Sequence, residues 1–282
     1  MSTPSQIAEI AHLLSDVRVK KPLVHNLTNY VTVNDCANAL LAVGASPVMA
    51  DDPDDVRDIA ALADAVVINI GTLNARTIPS MFAAGKIAAA RGRPVILDPV
   101  GAGASRRRTG TALELMREIP FAVIRGNVSE IKTLLGGSGA TRGVDASDGD
   151  LSADGLAGTA AAAKALADRT GAIVAVTGAT DILTDGVQTL AVNNGHPLMS
   201  RITGSGCMLS AVTGAFCGAA QGRMLMAVAA ALCTLGLAGE QAAARTLKEK
   251  AGTGSFRTYL IDCLSLMDEA TLAGGMKIEL FA

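Results

Sequence analysis

Aromatic side chains are scarce in this sequence, and the chain has no excess of positive charge. The 282 residues include no Trp, two Tyr and five Phe, and the formal net charge is -2. Proteins that bind nucleic acid present basic surfaces, often with aromatic side chains on which bases stack. The composition has neither property, so we expect no nucleic-acid partner.

Closely spaced cysteine pairs are also lacking. The five cysteines form no CxxC motif, and the N-terminal residues do not resemble a secretory leader. A disulfide framework is typical of exported chains with paired, regularly spaced cysteines. We therefore expect free thiols and a cytoplasmic protein.

No apolar run is both long and uninterrupted, although the mean hydropathy of +0.38 is high. Residues 224–239 are mostly Ala and Leu but end at Glu240, which leaves them short of the roughly 20 residues of a membrane span. Residues 202–222 are uncharged but contain Gly, Ser, Thr and Gln. We expect no membrane partner, and two helices buried inside the protein or against another subunit.

Short β-branched runs alternate with Ala-rich stretches along the chain, which is typical of an α/β fold with a mostly parallel sheet and helices on both faces. A hairpin about Asp185-Gly186 adds antiparallel strands at one edge. No linker divides the sequence, so we expect one domain over residues 1–282, with a surface loop over 136–155. The predicted strands are 65–70, 94–98, 122–125 and 172–177, and the predicted helices are 5–14, 34–43, 54–63, 80–91, 129–135, 152–170, 207–219 and 225–247.

Polar or Gly-rich residues follow each predicted strand. In an open parallel sheet these strand ends share one edge, and ligands bind there. We therefore expect four separate segments to converge on one cleft. They are "NIGTL" at 69–73, "LDPVGAG" at 97–103, "IRGNVSE" at 124–130 and "AVTGATD" at 175–181.

The segment "TGSGC" at 203–207 leads directly into an apolar helix. Gly204 and Gly206 would let the backbone approach a ligand closely, and the free N–H groups of a helix start suit a phosphate. The structural alternative is a plain glycine turn before a helix.

Four further residues at or just after the strand ends point to a metal or a phosphate. Asn127 and Glu130 are three residues apart at a helix start, where oxygen ligands can hold magnesium through water, or where Asn127 or Ser129 simply caps the helix. Asp98 is a second carboxylate in reach of a cation, or an ordinary Asp-Pro turn. Arg125 ends a strand, where its guanidinium could clamp a phosphate or form a surface salt bridge.

Histidine chemistry is poorly supported. His25 lies in the polar segment "VHNLTNYVTVN", and neither His12 nor His196 stands at a metal-ligand spacing from it. The sequence therefore favours neither a zinc site nor a Ser-His-Asp triad.

Taken together, these segments resemble the hydroxyethylthiazole kinase family of thiamine biosynthesis. The resemblance extends over nearly the whole chain and is highly specific, because relatives outside the family usually carry an aspartate where Cys207 stands. Thr253 replaces a more usual proline, and Asp51 and Asp52 are more acidic than expected. The matching segments are 24–50, "NIGTL", "PVILDPVGAG", "IRGNVSEI", "AVTG", "TGSGCMLSAVTGAFC" and "GTGSF".

The resemblance implies a ribokinase-like fold without a separate lid. It also implies ATP-dependent phosphorylation of the primary alcohol of 4-methyl-5-(2-hydroxyethyl)thiazole, with Mg²⁺. It further implies a homotrimer with sites at subunit interfaces, in which Asn29 and Met49 meet a neighbour's Gly204–Cys207 turn.

The resemblance also assigns roles to individual residues. Arg125 and Thr177 would contact the ATP phosphates, and Asp98, Asn127 and Glu130 would organise magnesium and its waters beside ATP. The thiazole pocket would be lined by Met49, Asn29, Gly71 and Gly204.

Cys207 would stand beside the reacting hydroxyl. A helix N-terminus lowers the pKa of a thiol, so we expect Cys207 to be partly thiolate and to accept the alcohol proton, with pure pocket lining as the alternative. Two other functions stay open at this point. One is a related kinase for another heterocyclic alcohol such as hydroxymethylpyrimidine, and the other is a catalytically idle nucleotide-binding or assembly protein.

Overall fold

The computed structural model describes residues 4–136, 153–220 and 222–281. Most of the loop predicted over 136–155 lies outside these residues. The described part is built on a nine-stranded sheet in the order β2-β1-β3-β4-β5-β6-β7-β8-β9. The strands are β1 Leu23–Leu27, β2 Ser46–Val48, β3 Ala65–Asn69, β4 Val95–Asp98, β5 Val123–Asn127, β6 Ile173–Thr177, β7 Asp181–Thr184, β8 Thr189–Val192 and β9 Ile278–Leu280.

Strands β2 to β6 in this order are parallel, and the three that follow are antiparallel. A short 3-10 helix covers Pro197–Arg201. The α-helices are α1 Pro4–Lys20, α2 Val33–Val43, α3 Val56–Leu62, α4 Thr77–Ala90, α5 Arg106–Glu118, α6 Val128–Leu134, α7 Ala153–Thr170, α8 Ser205–Ala219, α9 Met224–Lys248, α10 Thr253–Leu266 and α11 Glu269–Gly275.

Helices cover both faces of the sheet, so its central strands are apolar on both sides. In β3, Val67 belongs to the core beneath α1, α2, α8, α9 and α10, whereas Val66 and Ile68 belong to the core beneath α3 to α7. Continuous burial on both faces is the normal environment of a parallel sheet. It explains why this strand is recognisable in the sequence as an unbroken β-branched run.

Helix α8 lies unusually close to the sheet. A Cβ on Gly214 would come within 2.8 Å of Val67 Cγ2 and 2.9 Å of Val24 Cγ1, so no larger residue fits at this crossing. The close approach carries the N-terminus of α8 to the carboxyl ends of β1, β3 and β4. That position decides where the site forms.

The mostly parallel sheet, the helices on both faces and the hairpin are confirmed, but the predicted topology was incomplete. Strand β1 was missed because "LVHNL" carries His25 and Asn26, which are polar yet buried. The hairpin β7–β8 does not form the sheet edge, because β9 pairs with β8. The other missed elements are β2, α5, α10 and α11.

The apolar runs that raised the question of a membrane are core helices. Helix α9 is long and apolar enough to cross a membrane, but 72% of its most apolar window is buried inside the chain. In α8, every residue from Met208 to Ala219 is buried. Most of both apolar runs is therefore buried in the core of the chain itself rather than left for another subunit to cover.

Candidate active site

Polar side chains gather at the carboxyl ends of four parallel strands. Asn69 ends β3 and faces Asp98 at the end of β4 in the strand register, and Asn127 ends β5 opposite Thr177 at the end of β6. The turn before α8 lies over the same edge, because Cys207 contacts Asn69. The sheet thus brings together the segments that the sequence analysis placed in one cleft.

Asp98 is a buried carboxylate, and one of its two oxygens lacks a hydrogen-bond partner. Its Oδ2 accepts hydrogen bonds from Asn69 Nδ2 at 2.8 Å and Ser210 Oγ at 2.7 Å, while its buried Oδ1 has no partner. The pKa of Asp98 is raised because burial outweighs the Arg125 charge and these hydrogen bonds. Such an atom is a natural place for a cation or a cation-bound water.

Arg125 lies inside the site rather than on the surface, so the surface salt bridge proposed as an alternative is wrong. Its side chain is 11% exposed; Nη2 donates to Thr177 Oγ1 at 2.7 Å and Nη1 is 3.7 Å from Asp98 Oδ2. The guanidinium also lies against the start of α8, where a Cβ on Gly206 would be 3.0 Å from Nη1.

The start of α8 therefore places two sources of positive charge side by side. The first amides of a helix have no acceptor within the helix, and the first to bond is Met208 N, to Gly204 O at 2.8 Å. A guanidinium next to these amides is electrostatically unfavourable unless an anion lies between them. Arg125 Nε is also buried without a partner.

Asn127 and Glu130 form a complete capping box at the start of α6. Asn127 Oδ1 accepts from Glu130 N at 2.9 Å, and Glu130 Oε2 accepts from Asn127 N at 2.8 Å. Glu130 Oε1 accepts from Gly101 N at 2.8 Å. Burial, reinforced by the charge of Asp98, raises the pKa of Glu130 to about 7. The capping alternative is therefore present, and it holds the carboxylate in the Asp98 neighbourhood.

Cys207 receives two amide donors on its sulfur. Asn29 Nδ2 lies 3.2 Å and Asn69 Nδ2 3.3 Å from Sγ. The expectation of a lowered pKa is wrong. Burial, together with the charge of Asp98, raises the pKa of this thiol, against the opposing hydrogen bonds from Thr32 and Asn29 and the Arg125 charge. A neutral thiol is therefore the main form near pH 7.

Asn29 belongs to the same site within one chain. Its contact with Cys207 corrects the expectation that it meets the Gly204–Cys207 turn of a neighbour. The loop after β1 is packed tightly against that turn. Gly204 has a left-handed φ of +86°, and a Cβ there would lie 2.6 Å from Thr32 Cγ2. The helical cap and the packing thus both require glycine.

The remaining predicted pocket residues flank this network. Gly71 lies against it, since a Cβ would be 2.9 Å from Asn69 Oδ1 and 3.1 Å from Asn29 Cβ. Met49 follows β2 and is half-buried against the core beneath α8. The next carbonyl, Ala50 O, bonds His25 Nε2 at 2.7 Å, so a fully buried histidine anchors this segment.

The donor set fits magnesium better than a metal held wholly by protein. Within residues 4–136, 153–220 and 222–281, no three His, Cys, Asp or Glu side chains converge to hold an ion. Magnesium keeps several waters and usually takes one or two carboxylates together with substrate phosphates. The unpartnered Oδ1 of Asp98 and the nearby Glu130 match that requirement.

Sequence reasoning did not single out Asn69 and Ser210. Asn69 opened the quoted "NIGTL" segment, but a lone Asn at a strand end gives no sign of its four hydrogen bonds. Ser210 looked like one more small residue in an apolar helix. Its position one turn after Cys207, on the face toward the sheet, is the only signal that could have identified it.

Comparison with known proteins places the chain in a family. The model of the Hydroxyethylthiazole kinase family matches residues 14–269. Hydroxyethylthiazole kinases from Ruminiclostridium cellulolyticum and Desulfovibrio desulfuricans are 50% and 51% identical over 93% of this chain, and over 93% and 95% of their own lengths.

Solved structures agree with this placement. The structure of a hydroxyethylthiazole kinase protein from Pyrococcus horikoshii OT3 shares 40% identity and a TM-score of 0.85, over 97% of this chain and 99% of that one. A pyridoxal kinase from Staphylococcus aureus in complex with ADP, 14% identical with a TM-score of 0.59 over 78% of this chain and 88% of its own, shares the ribokinase-like fold. The chain belongs to the hydroxyethylthiazole kinase family.

Proposed function

We propose that this protein transfers the γ-phosphoryl group of ATP to the primary alcohol of 4-methyl-5-(2-hydroxyethyl)thiazole, giving the phosphate ester used in thiamine biosynthesis or salvage. The observation that carries the proposal is the anion site where Arg125 lies against the first turn of α8. Thr177 anchors the guanidinium, and the first amides of α8, beside it, have no acceptor within the helix. Family membership supplies the alcohol and the donor.

Phosphoryl transfer depends mainly on positioning and on charge stabilisation, because its transition state is loose. Arg125 and the α8 amides would hold the transferring group, with Thr177 and Asn127 on the ATP side. Asp98 and Glu130 would hold magnesium through its waters. When bound, magnesium would neutralise charge on the phosphates.

The alcohol lies on the other side of the transferring group in this proposal. Met49, Asn29, Gly71 and Gly204 would line the thiazole pocket, and Cys207 would contact the hydroxyl. In a loose transition state the alcohol proton leaves late, so a strong base is not needed early in the reaction. The raised pKa of Cys207 therefore favours the alternative of pure pocket lining, in which a neutral thiol lies beside the hydroxyl.

A panel of alcohols tests the assignment. Thiazole and pyrimidine alcohols are incubated with Mg-ATP, and phosphate esters are scored by mass. We expect turnover of the hydroxyethylthiazole. Preferred turnover of hydroxymethylpyrimidine would replace the proposal with the related kinase, and ATP-dependent stabilisation of the fold without any ester would indicate an idle nucleotide-binding protein.

The whole chain would act as one kinase domain in a cytoplasmic homotrimer with its sites near subunit interfaces. The support lies beside the site, where Tyr30 and Val31 are 78% and 56% exposed directly after Asn29. Exposed apolar groups of this kind mark contact surfaces. Light scattering should give about three times the 28.5 kDa chain mass, and full activity in a verified monomer would contradict shared sites.

A further inference from the structure

We propose that Asn69 is a positioning residue that fixes the Cys207 thiol relative to Asp98, so that the alcohol side and the metal side of the site keep one geometry. This inference rests on the proposed function. It is carried by the hydrogen bonds of one buried side-chain amide. Asn69 is 1% exposed and lies where β3, β4 and α8 meet.

The Asn69 amide uses its full hydrogen-bonding capacity. Its Nδ2 donates to Asp98 Oδ2 at 2.8 Å and to Cys207 Sγ at 3.3 Å. Its Oδ1 accepts from Gly71 N at 2.9 Å and from Asn29 Nδ2 at 3.1 Å. An amide has two donor hydrogens and two acceptor lone pairs, so no capacity is left over.

Only one orientation of this amide satisfies its neighbours. If the amide were flipped, Oδ1 would face the Asp98 carboxylate and Nδ2 would face the Gly71 and Asn29 N–H groups. Both contacts would be repulsive, and buried polar groups would be left without partners, which is unfavourable. The orientation of Asn69 is thus fixed by its surroundings, and Asn69 can in turn fix Cys207.

Cys207 needs such a constraint because it lies in the first turn of α8. Helical residues largely avoid one of the three χ1 rotamers, which leaves two for a small side chain such as Cys. The donors from Asn69 and Asn29 meet at Sγ and select one of them. Because Asn69 also holds Asp98, the thiol and the carboxylate are placed by the same group.

The kinetic test is a double-mutant cycle with two substitutions at Asn69. Asn69→Ala removes all four bonds. Asn69→Asp keeps the acceptor for Asn29 and Gly71, but it loses the donors to both Cys207 and Asp98 and sets a second carboxyl oxygen against Asp98. We expect each to lower kcat about 10–100-fold with the KM for ATP within about twofold, since small misplacements of reacting groups cost up to about 10²-fold. In the Cys207→Ala background, the same substitutions should cost clearly less, because only the part of their effect that acts through Asp98 remains.

The matched control is Asn194→Ala. Asn194 is also a buried Asn that bridges a carboxylate, since its Nδ2 donates to Glu240 Oε1 and Gly275 O and its Oδ1 accepts from Lys277 N. It lies after β8, outside the site. We expect it to lower the melting temperature while keeping kcat. Equal kcat losses for Asn69 variants in both cysteine backgrounds would overturn the proposal, because Asn69 would then act independently of Cys207.

A crystal structure of the Asn69→Asp variant provides a readout that needs no activity. We expect Cys207 Sγ to leave its wild-type position or to occupy two rotamers. An unchanged single rotamer would overturn the positioning role. If wild-type protein forms no ester with the thiazole alcohol, the proposed function fails, whereas the rotamer result still decides what Asn69 does to Cys207.

Discussion

Two hydrogen-bonded clusters in this fold are built alike but differ in how well their carboxylates are satisfied. The Asp98 cluster consists of Asn69, Asp98, Cys207 and Ser210, and the Glu240 cluster consists of Asn194, Gly195, Glu240 and Lys277. In each, a buried Asn donates to a carboxylate. The first cluster lies at the carboxyl ends of the parallel strands, and the second lies beyond the antiparallel ones.

Both carboxylate oxygens of Glu240 have polar partners. Lys277 Nζ lies 2.7 Å from Oε2, and Gly195 N and Asn194 Nδ2 each lie 3.0 Å from Oε1. Partial burial works to raise the pKa of Glu240, but these hydrogen bonds outweigh it and the pKa is lowered. For Asp98, burial outweighs the hydrogen bonds and the pKa is raised. The nearest cationic group, Arg125 Nη1, lies 3.7 Å from Asp98 Oδ2.

The difference is the one expected between a structural cluster and a cluster that binds a ligand. A satisfied cluster stabilises the fold, whereas an unsatisfied buried carboxylate costs stability and persists where function requires it. The same carboxylate-to-amide substitution should therefore have opposite consequences in the two clusters.

The largest expected effect is that of Asp98→Asn. The amide oxygen can keep the bonds from Asn69 and Ser210, while the negative charge proposed to face magnesium is lost. We expect kcat to fall on the order of 10²–10³-fold, the size seen when one electrostatic group of an active site is removed. The melting temperature should stay the same or rise, because a poorly solvated charge is gone.

Steady-state kinetics with Mg-ATP and thermal unfolding of the same preparation provide both values. A kcat within about fivefold of wild type would show that Asp98 is not part of the reaction. A large fall in melting temperature would show that its charge is structural, like that of Glu240.

The next effect concerns pH and Glu130. Its pKa rises from the usual 4.5 to about 7 in the folded protein, so between these values the folded state binds more protons than the unfolded state. Stability must then fall as pH rises through this window, by roughly 3 kcal/mol if 1.36 kcal/mol accompanies each pH unit. The metal-free protein should accordingly be more stable at pH 5 than at pH 7.5.

Urea unfolding of metal-free wild type and Glu130→Gln at both pH values checks this sign. The substituted protein keeps one acceptor oxygen, so it loses one of the two hydrogen bonds from Asn127 N and Gly101 N at both pH values. It has no carboxyl group to titrate, so its pH dependence should be smaller. Parallel pH dependence in the two proteins would assign the effect to other groups.

The sequence predicted the central sheet well because its strands are buried on both faces. It failed where tertiary contacts override local signals. Strand β1 contains two polar residues, His25 and Asn26, that are buried in the core. Helix α5 begins with three arginines, a charge that the helix dipole disfavours at this end, and it is started instead by Ser105, whose side chain caps Arg108 N.

The candidate site was predictable to a similar degree. Strand-end motifs identified Asp98, Arg125 and Glu130 because parallel strands share one edge. Two features depended on three-dimensional contacts that spacing does not reveal. One is the pairing of Asn29 with Cys207 of its own chain, across 178 residues, and the other is the pKa of Cys207, which burial and Asp98 raise rather than lower.

The smallest expected effect, from Glu240→Gln, completes the comparison. The amide oxygen can still accept from Asn194 and Gly195, and what is lost is the charge facing Lys277 together with the hydrogen bond from Lys277 Nζ. Because Lys277 is 54% exposed, the pair contributes at most about 1 kcal/mol, which corresponds to a fall in melting temperature of about 2–4 °C in a chain of this size. The kcat for the thiazole alcohol should not change. The difference in stability from wild type should shrink at low pH, because the pKa of Glu240 is lowered and its contribution disappears once the carboxylate is protonated. A kcat loss similar to that of Asp98→Asn would contradict the contrast between the clusters, since carboxylates beyond the antiparallel strands would then also support the reaction.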